Sequence, residues 1–161
     1  MSLQELPRVK IAHLPTPLEE MPRLTKALGG PRLLIKRDDE TGLASGGNKA
    51  RKLEFLVADA LGKGADTLIT TGGIQSNHAR LTAAAAAKFG LRCHLVLVGS
   101  EPELRNGNLL LDDLLGAEVH WLDPTSQTTA MEAMQSLAAS LREQGSKPYV
   151  IPRGGSIPIG A

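Results

Sequence analysis

Cysteine is almost absent from this chain of 161 residues: Cys93 stands alone. A single thiol excludes an internal disulfide framework and any metal site built from several cysteines, and it fits a reducing compartment. Aromatic side chains are nearly as scarce, at 2% of the chain, namely Phe55, Phe89, Trp121 and Tyr149. A core with so few rings must be filled by Leu, Val, Ile and Ala, and little is left for stacking on nucleic-acid bases. An excess of one charge is missing too. The formal net charge is +1, so the lopsided field that accompanies nucleic-acid or membrane-surface binding is not there. No apolar run approaches a membrane span. The opening MSLQELPRVK has neither the unbroken apolar core of a secretory signal nor the Arg-rich amphipathic character of a transit peptide. The expected location is the cytoplasm. Nor does the chain contain GxGxxG, GxxxxGK[ST] or GxSxG, so no dinucleotide, nucleoside triphosphate or hydrolase elbow is indicated.

What is present is alternation. DTLITT (66–71), CHLVLVG (93–99), EVHWLD (118–123) and PYVIP (148–152) read as strands. Between them lie helical stretches: SNHARLTAAAAAKFG, closed by Gly90; NLLLDDLLG (108–116); and TSQTTAMEAMQSLAASLREQG, with Thr125 or Ser126 as N-cap and Gly145 as stop. Strands alternating with helices imply βαβ units, hence an open parallel twisted sheet with flanking helices and right-handed crossovers. The first 47 residues differ, being punctuated by Pro7, Pro15, Pro17, Pro22 and Pro31. They carry one predicted helix (18–28) and one predicted strand, RLLIKRD (32–38). The last nine residues, RGGSIPIGA, end on a loop, from which the fold is expected to continue beyond them.

In GGNKARKLEF (46–55), three cations open a helix, although the helix dipole favours anions there. With Asn48 as cap, Lys49 falls in line with Leu53, Leu56 and Ala60 at helical spacing. Partial desolvation, the dipole and Lys52 one turn away all disfavour its protonated form. A neutral lysine amine is a nucleophile suited to condensing with an aldehyde. Gly46 and Gly47 would let another molecule approach the backbone. The alternative is a solvated lysine whose stem snorkels along the apolar face.

TTGGIQSNHAR (70–80) has the form strand, glycine loop, helix, with Ser76 as natural N-cap. Such a start can bind carboxylate or phosphate, although any βα loop in a parallel sheet needs glycine and a cap. Asn77 can donate to a phenolate-like oxygen, and Ser76 can pass a proton or grip a carboxylate. His78 offers a ring nitrogen that titrates near neutrality. His13, His94 and His120 are scattered, and the latter two, in strands, are expected to be packing or surface residues; no spacing resembles a metal site. Asp112 and Asp113 are expected to face solvent, and NGN (106–108) to be a turn and helix start.

Together IKRDD (35–39), GGNKARKLEF, ADTLITTGGIQSNHAR, NGNLLLDDLLGAE and PYVIPRGGS resemble the pyridoxal-phosphate-dependent D-cysteine desulfhydrase and 1-aminocyclopropane-1-carboxylate deaminase family, of the tryptophan-synthase-β-like fold type II. The similarity runs across nearly the whole chain, in order, and LITTGGIQSNHAR resembles the desulfhydrase branch. The resemblance implies a lyase acting on a small amino acid: D-cysteine to pyruvate, sulfide and ammonia, or else cyclopropane ring opening or sulfo-lyase action on a cysteine analogue. Lys49 falls on the lysine that carries pyridoxal phosphate and later moves the substrate α-proton. Asn77 falls on the residue bonding the cofactor ring oxygen, Lys52 on a basic residue near its phosphate, and Ser76 on the serine of proton transfer or carboxylate binding. Gln75 and His78 flank Ser76 in the substrate loop. A dianionic phosphate near the helix start would explain the clustered cations.

Members of that family are about twice this length. Their phosphate loop, the partner of the pyridine nitrogen and the active-site tyrosines lie in a second half, and Tyr149 does not match those tyrosines. The resemblance therefore assigns 1–48 to the large cofactor domain, 49–152 to the small α/β domain and 153–161 to the crossing back. It also implies a homodimer in the full-length parent. The 161-residue chain alone is expected to bind the cofactor weakly and to turn over poorly. Two further readings stand beside the enzyme: a non-catalytic anion-binding α/β module, and an assembly unit whose uncovered apolar face awaits a partner.

Overall fold

A computed structural model describes residues 5–160. Four parallel strands form the main sheet in the order β5-β4-β3-β6. They are β3 (Thr67–Gly73), β4 (Arg92–Val98), β5 (Glu118–Leu122) and β6 (Pro148–Val150). The helices between and before them are α2 (Lys49–Gly62), α3 (Asn77–Phe89), α4 (Gly107–Leu114) and α5 (Ala130–Glu143). The α/β alternation is thus as the sequence implies. Ahead of it, β1 (Leu18–Glu20) and β2 (Leu34–Lys36) pair antiparallel in a sheet of their own, with α1 (Pro22–Leu28) between them.

Strand alternation sorts the core into two layers. On one face Leu68, Leu95 and Leu97 pack against Leu53 and Leu56 of α2, Ala83 and Ala86 of α3 and Leu109 of α4. On the other, Ile69 and Val96 meet Met134, Ala138 and Leu141 of α5. α3 is buried from His78 to Ala86. Its alanines have little side-chain entropy to lose and let the helix lie close to the sheet. At the head of α3 the Ser76 hydroxyl accepts from the Ala79 N–H at 3.2 Å, and Gly90 ends the helix in the left-handed conformation.

Three sequence expectations are corrected here. The predicted helix over 18–28 is strand Leu18–Glu20 followed by helix Pro22–Leu28, because Pro22 belongs in a first helical turn and disfavours helix in the residue before it. The cap of α5 is neither Thr125 nor Ser126 but Thr129, in a reciprocal capping box with Glu132. Asp112 does not face solvent: it is fully buried on α4, three residues after Leu109 and on the same helix face.

One buried carboxylate ties the chain's beginning to α2. Glu54 accepts from the Ile11 and Ala12 N–H groups at 3.0 and 2.9 Å and from Arg8 Nε at 2.6 Å. The loops leaving the carboxyl ends of β3 and β6 lie at the end of the sheet where ligands of open α/β sheets are bound, and Gly155 of the β6 loop packs against Leu56 of α2. Among the described residues no helix is long and apolar enough to cross a membrane.

Candidate active site

The run before α2 is held in an unusual conformation. Ala44 and Ser45 have positive φ, at 40° and 70°, a region that costs non-glycine residues energy and clusters at functional sites. A Cβ on Gly46 would collide with the Asp39 carbonyl, so only glycine fits. Buried Thr41 closes the turn by accepting from the Gly47 N–H at 2.8 Å and donating to the Gly47 carbonyl at 2.9 Å. Asn48 occupies the cap position of α2, but its side chain makes no capping bond. The three cations that follow then separate by partner. Arg51 is committed to Asp38 through two bonds, Nε to Oδ2 at 2.9 Å and Nη2 to Oδ1 at 2.7 Å, which hold the Asp38 carboxyl below its usual range. Lys52 reaches the Ser156 hydroxyl at 3.4 Å. Lys49 is half-buried, above the fully buried Leu53 and Leu56, and its ammonium pairs with no described residue.

The turn after β6 comes up against this helix start. Gly154 and Gly155 both have positive φ, at 69° and 60°. A Cβ on Gly155 would lie 2.7 Å from Leu56 Cδ1 and 3.4 Å from His78 Cε1, while the Lys49 Nζ is 4.0 Å from where a Gly154 Cβ would stand. Lys49, Lys52, His78 and the glycine turn thus form one cluster.

His78 is buried, and its Nε2 lies 3.0 Å from the Thr70 hydroxyl. That hydroxyl donates to the Ile151 carbonyl at 2.9 Å, so it accepts from His78, and the neutral ring carries its proton on Nε2. Nδ1 is buried without a partner among the described residues. Burial first, then the charges of Lys49 and Lys52, depress the His78 pKa to about 4. The expectation that this ring titrates near neutrality is corrected: it is a neutral group at physiological pH.

A second cluster holds the β3–α3 loop to α4. The Gln75 amide donates to the Asn106 carbonyl at 3.1 Å, and its oxygen accepts from the Asn108 N–H at 2.8 Å. Asn108 Nδ2 donates to the Gln75 carbonyl at 2.8 Å and to Asn77 Oδ1 at 3.0 Å. Arg80 Nη2 also donates to Asn77 Oδ1, at 3.1 Å. With its oxygen engaged twice, the Asn77 amide presents its nitrogen as donor on the exposed side. Ser76 stays with its capping bond, and no described bond joins it to Lys49.

Sequence reasoning missed Arg80, which is buried and bridges the two clusters. Besides Asn77 it donates to the Gly46 carbonyl at 2.9 Å, to the Ala44 carbonyl, and to Asn108 Oδ1 at 3.3 Å. A lone Arg on a helix face otherwise made of alanine was the available signal. Thr70, Asn108 and Gly155 were missed for want of any periodic signal, since strand register and loop approach decide their positions.

Residues 9–159 match the family model described as pyridoxal-phosphate dependent enzyme. The chain is 54% identical to a D-cysteine desulfhydrase of Klebsiella pneumoniae over 169 residues, which covers 100% of this chain and 51% of that relative. Identity to the D-cysteine desulfhydrase of Salmonella paratyphi B is 52% over 164 residues, covering 99% and 49%. A crystal structure described as that of an ACC deaminase homologue superposes with a TM-score of 0.91 at 46% identity, over 98% of this chain and 48% of that one. The parallel sheet with flanking helices is accordingly the arrangement of fold type II. The chain spans about half the length of the curated relatives it matches. Matched along almost all its residues, the chain belongs to the family of pyridoxal-phosphate-dependent enzymes.

Proposed function

We propose that Lys49 is the lysine that carries pyridoxal phosphate, and that the full-length protein eliminates sulfide from D-cysteine. The observation that carries this is Lys49 itself: a half-buried amine with no described partner, beside a glycine turn and a neutral histidine. The donors present suit the cofactor. Asn77 offers an amide N–H to a ring oxygen, Lys52 and Ser156 offer an ammonium and a hydroxyl to a phosphate, and the glycine turn leaves room that a side chain would fill. When bound, the cofactor supplies an electron sink for negative charge at the substrate α-carbon.

The Lys49 Nζ is the base that takes the α-proton. Ser76 holds the substrate carboxylate or passes a proton, and its cap geometry fixes where it stands. Gln75 and His78 flank it in the substrate loop, Gln75 fastened to α4 and His78 seated on Thr70. Overall, D-cysteine and water give pyruvate, hydrogen sulfide and ammonia. Residues 1–48 would belong to the large domain, 49–152 to the small domain, and 153–161 to the crossing back. The separate β1–β2 sheet supports the first division. A cytoplasmic homodimer completes the reading. The presence of a single cysteine, Cys93, is what supports a reducing location.

The test uses the full-length protein with added pyridoxal phosphate. A visible absorption band, fixed by borohydride onto the peptide bearing Lys49, is expected, together with pyruvate from D-cysteine; Lys49→Ala should lose both. A band and turnover that survive in Lys49→Ala would overturn the assignment. The likeness to an ACC deaminase homologue favours one second reading. If the protein ring-opens 1-aminocyclopropane-1-carboxylate and releases no sulfide from D-cysteine, the cofactor assignment stands and the substrate assignment fails.

A further inference from the structure

On the face of the sheet turned away from Lys49, three electron-pair donors converge. His94 on β4 and Glu118 on β5 are direct partners in the parallel register, and His120 follows Glu118 by two residues on the same strand face. Val96, two residues after His94, faces α5, so the group belongs to the α5 layer. The His94 Nδ1 and His120 Nε2 atoms are 3.0 Å apart. The Glu118 carboxylate lies 3.6 Å from His94 Nδ1 through Oε2 and 3.4 Å from His120 Nε2 through Oε1. One ligand atom from each residue lies within 4.8 Å of the others.

We infer that His94, Glu118 and His120 form a zinc-type divalent-cation site independent of the cofactor. Zinc bonds of about 2.0–2.2 Å to imidazole nitrogen and carboxylate oxygen place the ligand atoms of a tetrahedral ion about 3.3–3.5 Å apart. The three separations, two of which run to different oxygens of the one carboxylate, bracket that spacing. A bare imidazole pair explains them less well. Two nitrogens at 3.0 Å can share one hydrogen, but the carboxylate, at 3.4 and 3.6 Å, then stands close to both rings without a good hydrogen bond to either. Two imidazoles and one carboxylate are a donor set that zinc accepts, with the fourth position left to water. Glu118 and His120, at 65% and 32% exposure, leave the cluster open to solvent on one side, while His94 at 7% closes the other. Since β5 is an edge strand, the ion would staple the edge to its neighbour. This inference runs against the expectation that the two histidines are packing or surface residues. The ligands come from two paired strands, so their convergence depends on register and not on sequence spacing.

The experiment titrates zinc into the metal-free 161-residue chain against a chromogenic chelator, and repeats it with Glu118→Gln and His120→Ala, both at partly exposed positions. One zinc per chain is expected. Each variant should lose more than the roughly 10- to 100-fold that removing an outer-shell partner costs. Cobalt(II) in place of zinc should give visible bands of four-coordinate intensity in the parent alone. Zinc should raise the melting temperature of the parent and leave both variants unmoved. Failure of the parent to retain zinc, or undiminished retention by both variants, overturns the assignment.

Discussion

At the scale of single residues, two buried titratable groups pull stability in opposite directions. His78 is neutral in the fold, with its pKa depressed to about 4, so the unfolded chain binds the extra proton between that value and about 6.5. Its contribution is present above about 6.5 and lost as the pH falls. Asp112 is the reverse. Burial, and then Asp113, raise its pKa to about 7 against the pull of Arg80, and neither carboxylate oxygen finds a partner among the described residues. Its contribution is greatest when protonated and is lost as the pH rises through about 7. Between pH ~4.5 and ~6.5 the two proton counts nearly cancel. Asp112→Asn should therefore show a stability that rises, relative to the parent, by about 1.4 kcal/mol per pH unit, and His78→Gln one that falls by a similar amount. Urea unfolding at three pH values in that window checks both signs. Arg80 yields a third prediction. Lysine cannot reproduce its planar fork, so Arg80→Lys should cost about 2–3 kcal/mol in urea unfolding by leaving buried carbonyls of the 44–46 turn unpaired.

Elements were far more legible than contacts. Every strand of the parallel sheet lies where alternating and β-branched runs place it, because each must bury a face and each is bounded by turn residues. The α5 start was misread among several hydroxyl residues, yet the deciding signal was in the sequence: Glu132 stands three residues after Thr129, and only that pair can cap reciprocally. Thr129→Ala should thus cost about 1 kcal/mol, whereas Thr125→Ala, at an exposed turn with Asp123, should stay within about 0.5 kcal/mol. Chemical denaturation of the two variants side by side separates the assignments. Asp112 was also within reach, since it shares a helix face with Leu109. Lys49 and its apolar line were read correctly from periodicity. The glycines near Lys49 are not legible there, because Gly154 and Gly155 arrive from the far end of the chain through the pairing of β6 with β3.

For the whole molecule, the N-terminal β1–α1–β2 unit leaves Leu18 at 61% and Leu28 at 67% exposure, with Leu34 and Ile35 also open. Large apolar side chains left open on one short unit suit a surface that a partner covers, consistent with relatives about twice as long. The 161-residue chain should therefore associate as its concentration rises, and Leu18→Lys with Leu28→Lys should shift it toward the monomer in sedimentation experiments. The opposite edge of the main sheet holds a quieter constraint. β6 offers only a few paired residues, and beyond them Ile151 is held twice, its N–H by the Ile69 carbonyl at 2.8 Å and its carbonyl by the Thr70 hydroxyl at 2.9 Å. Slippage by one residue would carry the glycine turn about 3.3 Å along the strand, nearly the whole 4.0 Å that separates the Lys49 Nζ from the Cβ position of Gly154. On the proposed reading, the working distance of Lys49 is set by one short strand and the two bonds that hold Ile151.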